Sequence, residues 1–159
     1  MSTEAQEPLR NAGEDVRVIV VALDASNGAT NVLAAAARVS RGGAALHVAH
    51  VFKSSRLDHA RAGAPHTSSE AVHDAKDYLE GYVKSARAQT RSDVTGHFLV
   101  GDPTTEILQL CDKLSADLLV VGTHEYHGLE RLILGSIAET LVRKAHCSVF
   151  VSRSKKAGT

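Results

Sequence analysis

The chain has 159 residues and a mass of 16.8 kDa, enough for one domain of ordinary size with a core of its own. Eighteen Lys and Arg balance eighteen Asp and Glu at a pI of about 7.1, which argues against nucleic-acid binding through a broad basic face. No apolar run approaches the ~18 residues of a membrane span, and Met1 to Asp15 lacks the apolar stretch of a secretory signal. A cytoplasmic protein is expected.

Residues 1–15 are polar and partly acidic, without an apolar period, and read as a flexible tail. Val18 to Leu23 is then a continuous apolar run, β-branched at its start, of the kind that suits a strand covered on both faces. The alanine-rich stretch Asn31 to Ser40 reads as the first helix. Ala44 to Phe52 supplies a second strand, and Lys53 to His66 is a long irregular loop. A capping box, Thr67 with Glu70, opens the next helix. Its apolar stripe is Val72, Ala75, Leu79, Val83 and Ala86. Val94 to Val100 is the third strand, with Thr95 and His97 on one face. Asp102 as cap and Pro103 at the first helical position start a third helix, which buries Ile107, Leu108, Leu110, Cys111 and Leu114. Leu118 to Val121 is the fourth strand. A fourth helix begins at Ser136, with Glu139 completing a second capping box, and Cys147 to Val151 is the fifth strand. Residues 153–159 form a short basic tail. The two cysteines, Cys111 and Cys147, have neither a CxxC nor a zinc-ligand spacing and read as reduced thiols.

Strands alternating with helices in this way predict an α/β domain over residues 16–152, a doubly wound parallel sheet with helices on both faces. Ligands of such sheets bind beyond the carboxyl ends of the strands, where the strand order reverses. Asp24 ends the first strand there and can accept hydrogen bonds from a ribose or an adenine amino group; the same residue type also favours turns and caps. Gly122 ends the fourth strand, where a missing side chain admits a base or a phosphate, or where a turn needs positive φ. Gly135 and Ser136 sit at a helix start, whose free amides attract anions. Ser136 either meets a phosphate or simply caps the helix with Glu139.

The stretch from Gly122 to Glu139 resembles the signature of the universal stress protein family. Val18 to Asp24, His50-Val51, Gly101-Asp102-Pro103 before Glu106-Ile107, and Ala145 to Val151 fit the same family in order. The resemblance implies a five-stranded parallel sheet in the order 3-2-1-4-5, a homodimer joined along the last strand, and a cytoplasmic stress-response role exercised through a regulatory protein partner. It also implies binding of ATP or AMP, with Mg²⁺ as a possible companion. Carried over residue by residue, Asp24 matches the acidic position near ribose and adenine, and Val51 the position whose backbone meets the adenine edge. Gly122, Gly135, Ser136 and the amide of Ile137 match the phosphate side. ATP-binding members show Gly-x2-Gly-x9-Gly-Ser/Thr. Here Glu125 stands where the second glycine belongs, bringing a Cβ and a negative charge toward the phosphates. At ~4 Å such a charge costs a unit negative charge ~1 kcal/mol in water and ~4 kcal/mol at an effective dielectric of ~20.

Two other readings stand beside nucleotide binding. His124, Glu125 and His127 are ligand types close enough to hold a metal. The sheet is otherwise a ligand-free dimeric interaction module, its phosphate motif weakened by Glu125. Neither a Gly-x-Ser-x-Gly elbow nor a Gly-x4-Gly-Lys-Ser/Thr loop is present, so hydrolase and P-loop chemistry are not expected. No catalytic residue is assigned, and weak ATPase activity is the most that is expected.

Overall fold

A computed structural model of the chain describes residues 16–24, 28–40, 43–53, 68–123 and 135–153. The apolar run at the start of the domain forms β1 (Val18–Leu23), with Ile19, Val20 and Val21 wholly inaccessible to solvent. Such two-sided burial is what a central parallel strand provides. The chain continues through α1 (Ala29–Val39), β2 (Ala45–Lys53), α2 (Ser68–Gln89), β3 (Val94–Gly101), α3 (Pro103–Leu114), β4 (Leu118–Gly122), α4 (Ser136–Lys144) and β5 (Ser148–Ser152). The five strands are ordered β3-β2-β1-β4-β5, all parallel, as expected. The strand order reverses between β1 and β4.

Alternate residues of each strand feed two cores. On one face Ile19, Val21, Leu46, Val48 and Val120 pack with Leu33 of α1 and Leu79 and Val83 of α2. On the other, Val20, Ala49, Leu119 and Val121 pack with Ile107 and Leu110 of α3 and Leu141 of α4. At the amino ends of the central strands the Asp117 carboxylate accepts from the amides of Arg17 and Val18, at 2.8 and 2.9 Å, and fixes β1 against the start of β4. Cys111 is buried and Cys147 half-buried; both are free thiols.

Helix starts decide how the strand ends are presented. Asp102 caps α3 as expected: its Oδ1 accepts from the Thr105 amide and hydroxyl, both at 2.9 Å, with Pro103 at the first helical position. The second capping box is not formed. Gly135 is the N-cap of α4, in extended backbone (φ −59°, ψ 151°), and it makes no side-chain cap hydrogen bond. Ser136 is already the first helical residue, one place too far along to cap, so the box expected of Ser136 and Glu139 is displaced by the glycine. Thr67, the cap expected for α2, lies outside the described residues, as do residues 1–15, 54–67 and 154–159.

Candidate functional site

The carboxyl ends of β1, β2 and β4 and the amino ends of α1, α3 and α4 enclose a cavity of about 470 Å³, within the range of small-molecule sites. All six residues expected to bind a ligand, Asp24, Val51, Gly122, Gly135, Ser136 and Ile137, line it. Three separate parts of the sequence are thus brought to one place by the reversal of strand order between β1 and β4. His124, Glu125 and His127, the residues of the rival metal reading, lie outside the described residues.

Each wall has a local cause. Gly122 ends β4 without positive φ, so the turn expectation for this glycine is not met. Its need is steric: a Cβ here would lie 2.7 Å from Cγ2 of Val32, which also lines the cavity. The glycine lets α1 lie close to the end of β4. Next to it, the Thr123 hydroxyl is buried and has no hydrogen-bond partner among the described residues. A buried polar atom left in this state costs about 1–3 kcal/mol, and a bound polar molecule would remove that cost. The Thr123 amide donates to the Ser152 carbonyl at 3.1 Å, which draws the end of β5 into the cavity wall.

On the side expected to take phosphates, Gly135, Ser136 and Ile137 line the cavity at the start of α4. Because Gly135 contributes no side chain, the first turn of α4 borders the cavity without a cap from its own N-cap residue, and Ser136 lies in the lining. By contrast α3, which also borders the cavity at Pro103 and Ile107, has its start closed by Asp102. The partial positive charge of a helix start is therefore offered mainly at α4. Lys53, at the end of β2, adds an exposed cation to the lining.

His50, which enters the sequence reading only as part of the family resemblance, lines the cavity, and Tyr78, which the sequence did not point to, braces the end of β1 from behind it. His50 is buried, and its Nδ1 lies 3.0 Å from the Leu23 carbonyl. A carbonyl only accepts, so Nδ1 carries the hydrogen and Nε2 keeps the lone pair when the ring is neutral. Tyr78 of α2 donates its hydroxyl to the Asp24 carbonyl and packs against His50 and Tyr82, with ring centroids 5.2 and 4.6 Å apart. Burial first, then the hydrogen bond with Tyr82, raises the Tyr78 phenol well above its ordinary range, so it is a permanent donor.

A second cavity, of about 490 Å³, opens at the other end of the sheet beside Arg38, Ser40, Thr90 and Arg91. The carboxyl ends of α1 and α2 meet it. Their carbonyls oppose the anion that two arginines would otherwise attract, so the first cavity is the better candidate.

These features define a doubly wound α/β domain with a cavity at its topological switch point. Residues 15–153 match the Universal stress protein family, and the chain belongs to it. A putative universal stress protein of Staphylococcus aureus is 30% identical over 140 residues, covering 87% of this chain and 84% of that one. A universal stress protein of Methanocaldococcus jannaschii is 47% identical over a 58-residue stretch, which is 36% of this chain and only 34% of that protein's length. The structure of the universal stress protein from Archaeoglobus fulgidus in complex with dAMP is similar, with a TM-score of 0.65 and 27% identity over 86% of this chain and 97% of that one. No helix among the described residues is long and apolar enough to cross a membrane.

Proposed function

We propose that the cavity binds an adenine nucleotide, AMP or ATP, and that its occupancy regulates how the protein meets a partner in the cytoplasmic stress response. The observation that carries this reading is the convergence of the six expected residues on one cavity that also contains the unsatisfied Thr123 hydroxyl. Asp24 and the Val51 backbone take the ribose and adenine side. The amides of the first turn of α4, the Ser136 hydroxyl and the space left by Gly122 take the phosphates, with Mg²⁺ accompanying a triphosphate. The dAMP complex of the Archaeoglobus fulgidus relative supports the ligand class.

The regulatory output is assigned to a homodimer through β5. This strand is a sheet edge, and Phe150 on it is 42% exposed, as is Val142 of the adjacent α4 at 43%. Apolar exposure of that kind on an unpaired edge favours pairing with another chain. The same edge would also serve a ligand-free interaction module.

One experiment separates the two. Purified protein is equilibrated with Mg-ATP or AMP, passed through gel filtration, and extracted for bound nucleotide, alongside Ser136→Ala and Glu125→Gly. Nucleotide on the unmodified protein, weakened about tenfold by Ser136→Ala, supports the proposal; a hydrogen bond to a charged group is worth about 1.5–3 kcal/mol. Nucleotide retained only by Glu125→Gly supports the ligand-free module.

A further inference from the structure

On the face of the sheet away from α1 and α2, two imidazoles meet across neighbouring strands. The register sets His47 of β2 opposite Thr95 and His97 of β3 opposite Ala49, so the two histidines are diagonal neighbours. His47 Nδ1 lies 2.9 Å from His97 Nε2, with the rings tilted by 40° and their centroids 5.1 Å apart. Contact at that distance is an N–H···N hydrogen bond, which requires at least one ring to be neutral. Burial lowers the pKa of both rings, and the neighbouring His47 and Lys113 lower that of His97 further. Both are only half-buried, so solvent reaches them.

We propose that His47 and His97 form a bidentate site for a borderline divalent transition-metal ion, with Cu²⁺ preferred. The preference follows from the separation of the two nitrogens. With metal–nitrogen bonds of about 2.0–2.1 Å, a 2.9 Å separation corresponds to an angle of about 90° at the metal. A tetrahedral ion with the same bond lengths would hold them about 3.3–3.4 Å apart. The pair therefore has the cis nitrogen spacing of a square-planar or octahedral centre, the geometry of Cu²⁺ and Ni²⁺, although each ring must turn its facing lone pair about 45° off the N···N line to reach the ion. Cu²⁺ also leads the affinity order for divalent ions. Binding replaces the hydrogen between the rings: it moves through water to the far nitrogen of the ring that carried it, and both facing nitrogens then offer lone pairs. No net proton is released. No group of three ligand-type side chains occurs among the described residues, so water completes the coordination. Lys113, the cation facing His97, weakens the site.

The test uses the full chain without nucleotide in a non-chelating buffer, titrated with Cu²⁺, Ni²⁺ or Zn²⁺ alone. One Cu²⁺ should bind in the unmodified protein. His47→Gln and His97→Gln should each weaken it at least tenfold, Lys113→Met should tighten it severalfold, and Zn²⁺ should bind more weakly than Cu²⁺. Unchanged affinity in both histidine variants places the metal elsewhere and overturns the proposal, as does Zn²⁺ binding more tightly than Cu²⁺ or no binding at all. Should a variant fail to fold, paramagnetic broadening in the unmodified protein decides. Ring resonances of His47 and His97 that broaden first at substoichiometric Cu²⁺ support the site; other histidines broadening first overturn it.

Discussion

The Tyr78 hydroxyl donates to the main-chain carbonyl of Asp24, 54 positions earlier in the chain. One hydrogen bond thus joins the middle of α2 to the carboxyl end of β1, where the acidic residue of the proposed nucleotide site stands. With His50 holding the preceding carbonyl, of Leu23, the end of β1 is braced on consecutive residues.

Tyr78→Phe keeps the ring contacts with His50 and Tyr82 and removes only the donor. Unfolding in urea should show a loss of about 1 kcal/mol, the net worth of a typical hydrogen bond. If nucleotide binds as proposed, its affinity should fall in the same variant, because the backbone beside Asp24 is less well held. A variant indistinguishable from the unmodified protein in both measurements would remove the brace from the account.

Gly122→Ala places a methyl group 2.7 Å from Cγ2 of Val32, closer than atoms tolerate. Overpacking of this kind costs about 1–3 kcal/mol. Val32→Ala leaves a small cavity when made alone, but in combination it should recover most of the loss, a coupling that a double-mutant cycle reads directly. Strictly additive effects would mean that α1 moves away instead.

Asp102→Ala should cost about 1 kcal/mol at pH 7 by removing the cap of α3. Hydrogen bonds from Thr105 hold the Asp102 carboxyl below its ordinary value of 3.8. The unfolded chain therefore takes up this proton first as the pH falls. The contribution of the cap is complete above 3.8 and is lost as the pH drops through the lower, folded value. Denaturant midpoints of the two proteins should accordingly converge in strong acid; a difference that grows there would reverse the sign.

Cys111 should resist alkylation in the native state. Burial, and then the neighbouring Cys147 sulfur, push its thiol up to about 12, and Cys147 is also raised, again chiefly by burial. At pH 8 about one Cys111 in ten thousand is the reactive thiolate, against roughly one in four for an ordinary cysteine. Iodoacetamide labelling followed by mass spectrometry should show Cys111 protected at least a thousandfold relative to the denatured chain. Rapid native labelling would mean that α3 and the segment before β5 separate readily.

The arrangement of strands was legible because β1 and β4 are short apolar runs, β2, β3 and β5 are short and mix apolar with polar residues, and stretches of helical period separate them. Observed and expected strand ends differ by one residue or less, as from Ala44–Phe52 to Ala45–Lys53. The site was legible as residues but not as contacts. Asp24, Gly122 and Ser136 could be read from their positions at strand and helix ends. Tyr78 and His50 could not, because their part depends on register and on a helix face packing 54 residues from its partner. The Ser136 cap failed for a local reason: a Ser-x-x-Glu pattern marks a helix start without saying whether the serine or the glycine before it stands outside the first turn. The unsatisfied Thr123 hydroxyl had no sequence signal at all, since partnership is a property of the folded surroundings.

The hydrogen bond from the Thr123 amide to the Ser152 carbonyl makes the outermost strand a load path. Any guest that pulls Thr123 inward to reach its hydroxyl must tug the tip of β5 as well. The cavity wall and the border of the sheet thus share the last rung of the β4–β5 ladder, with no loop between them.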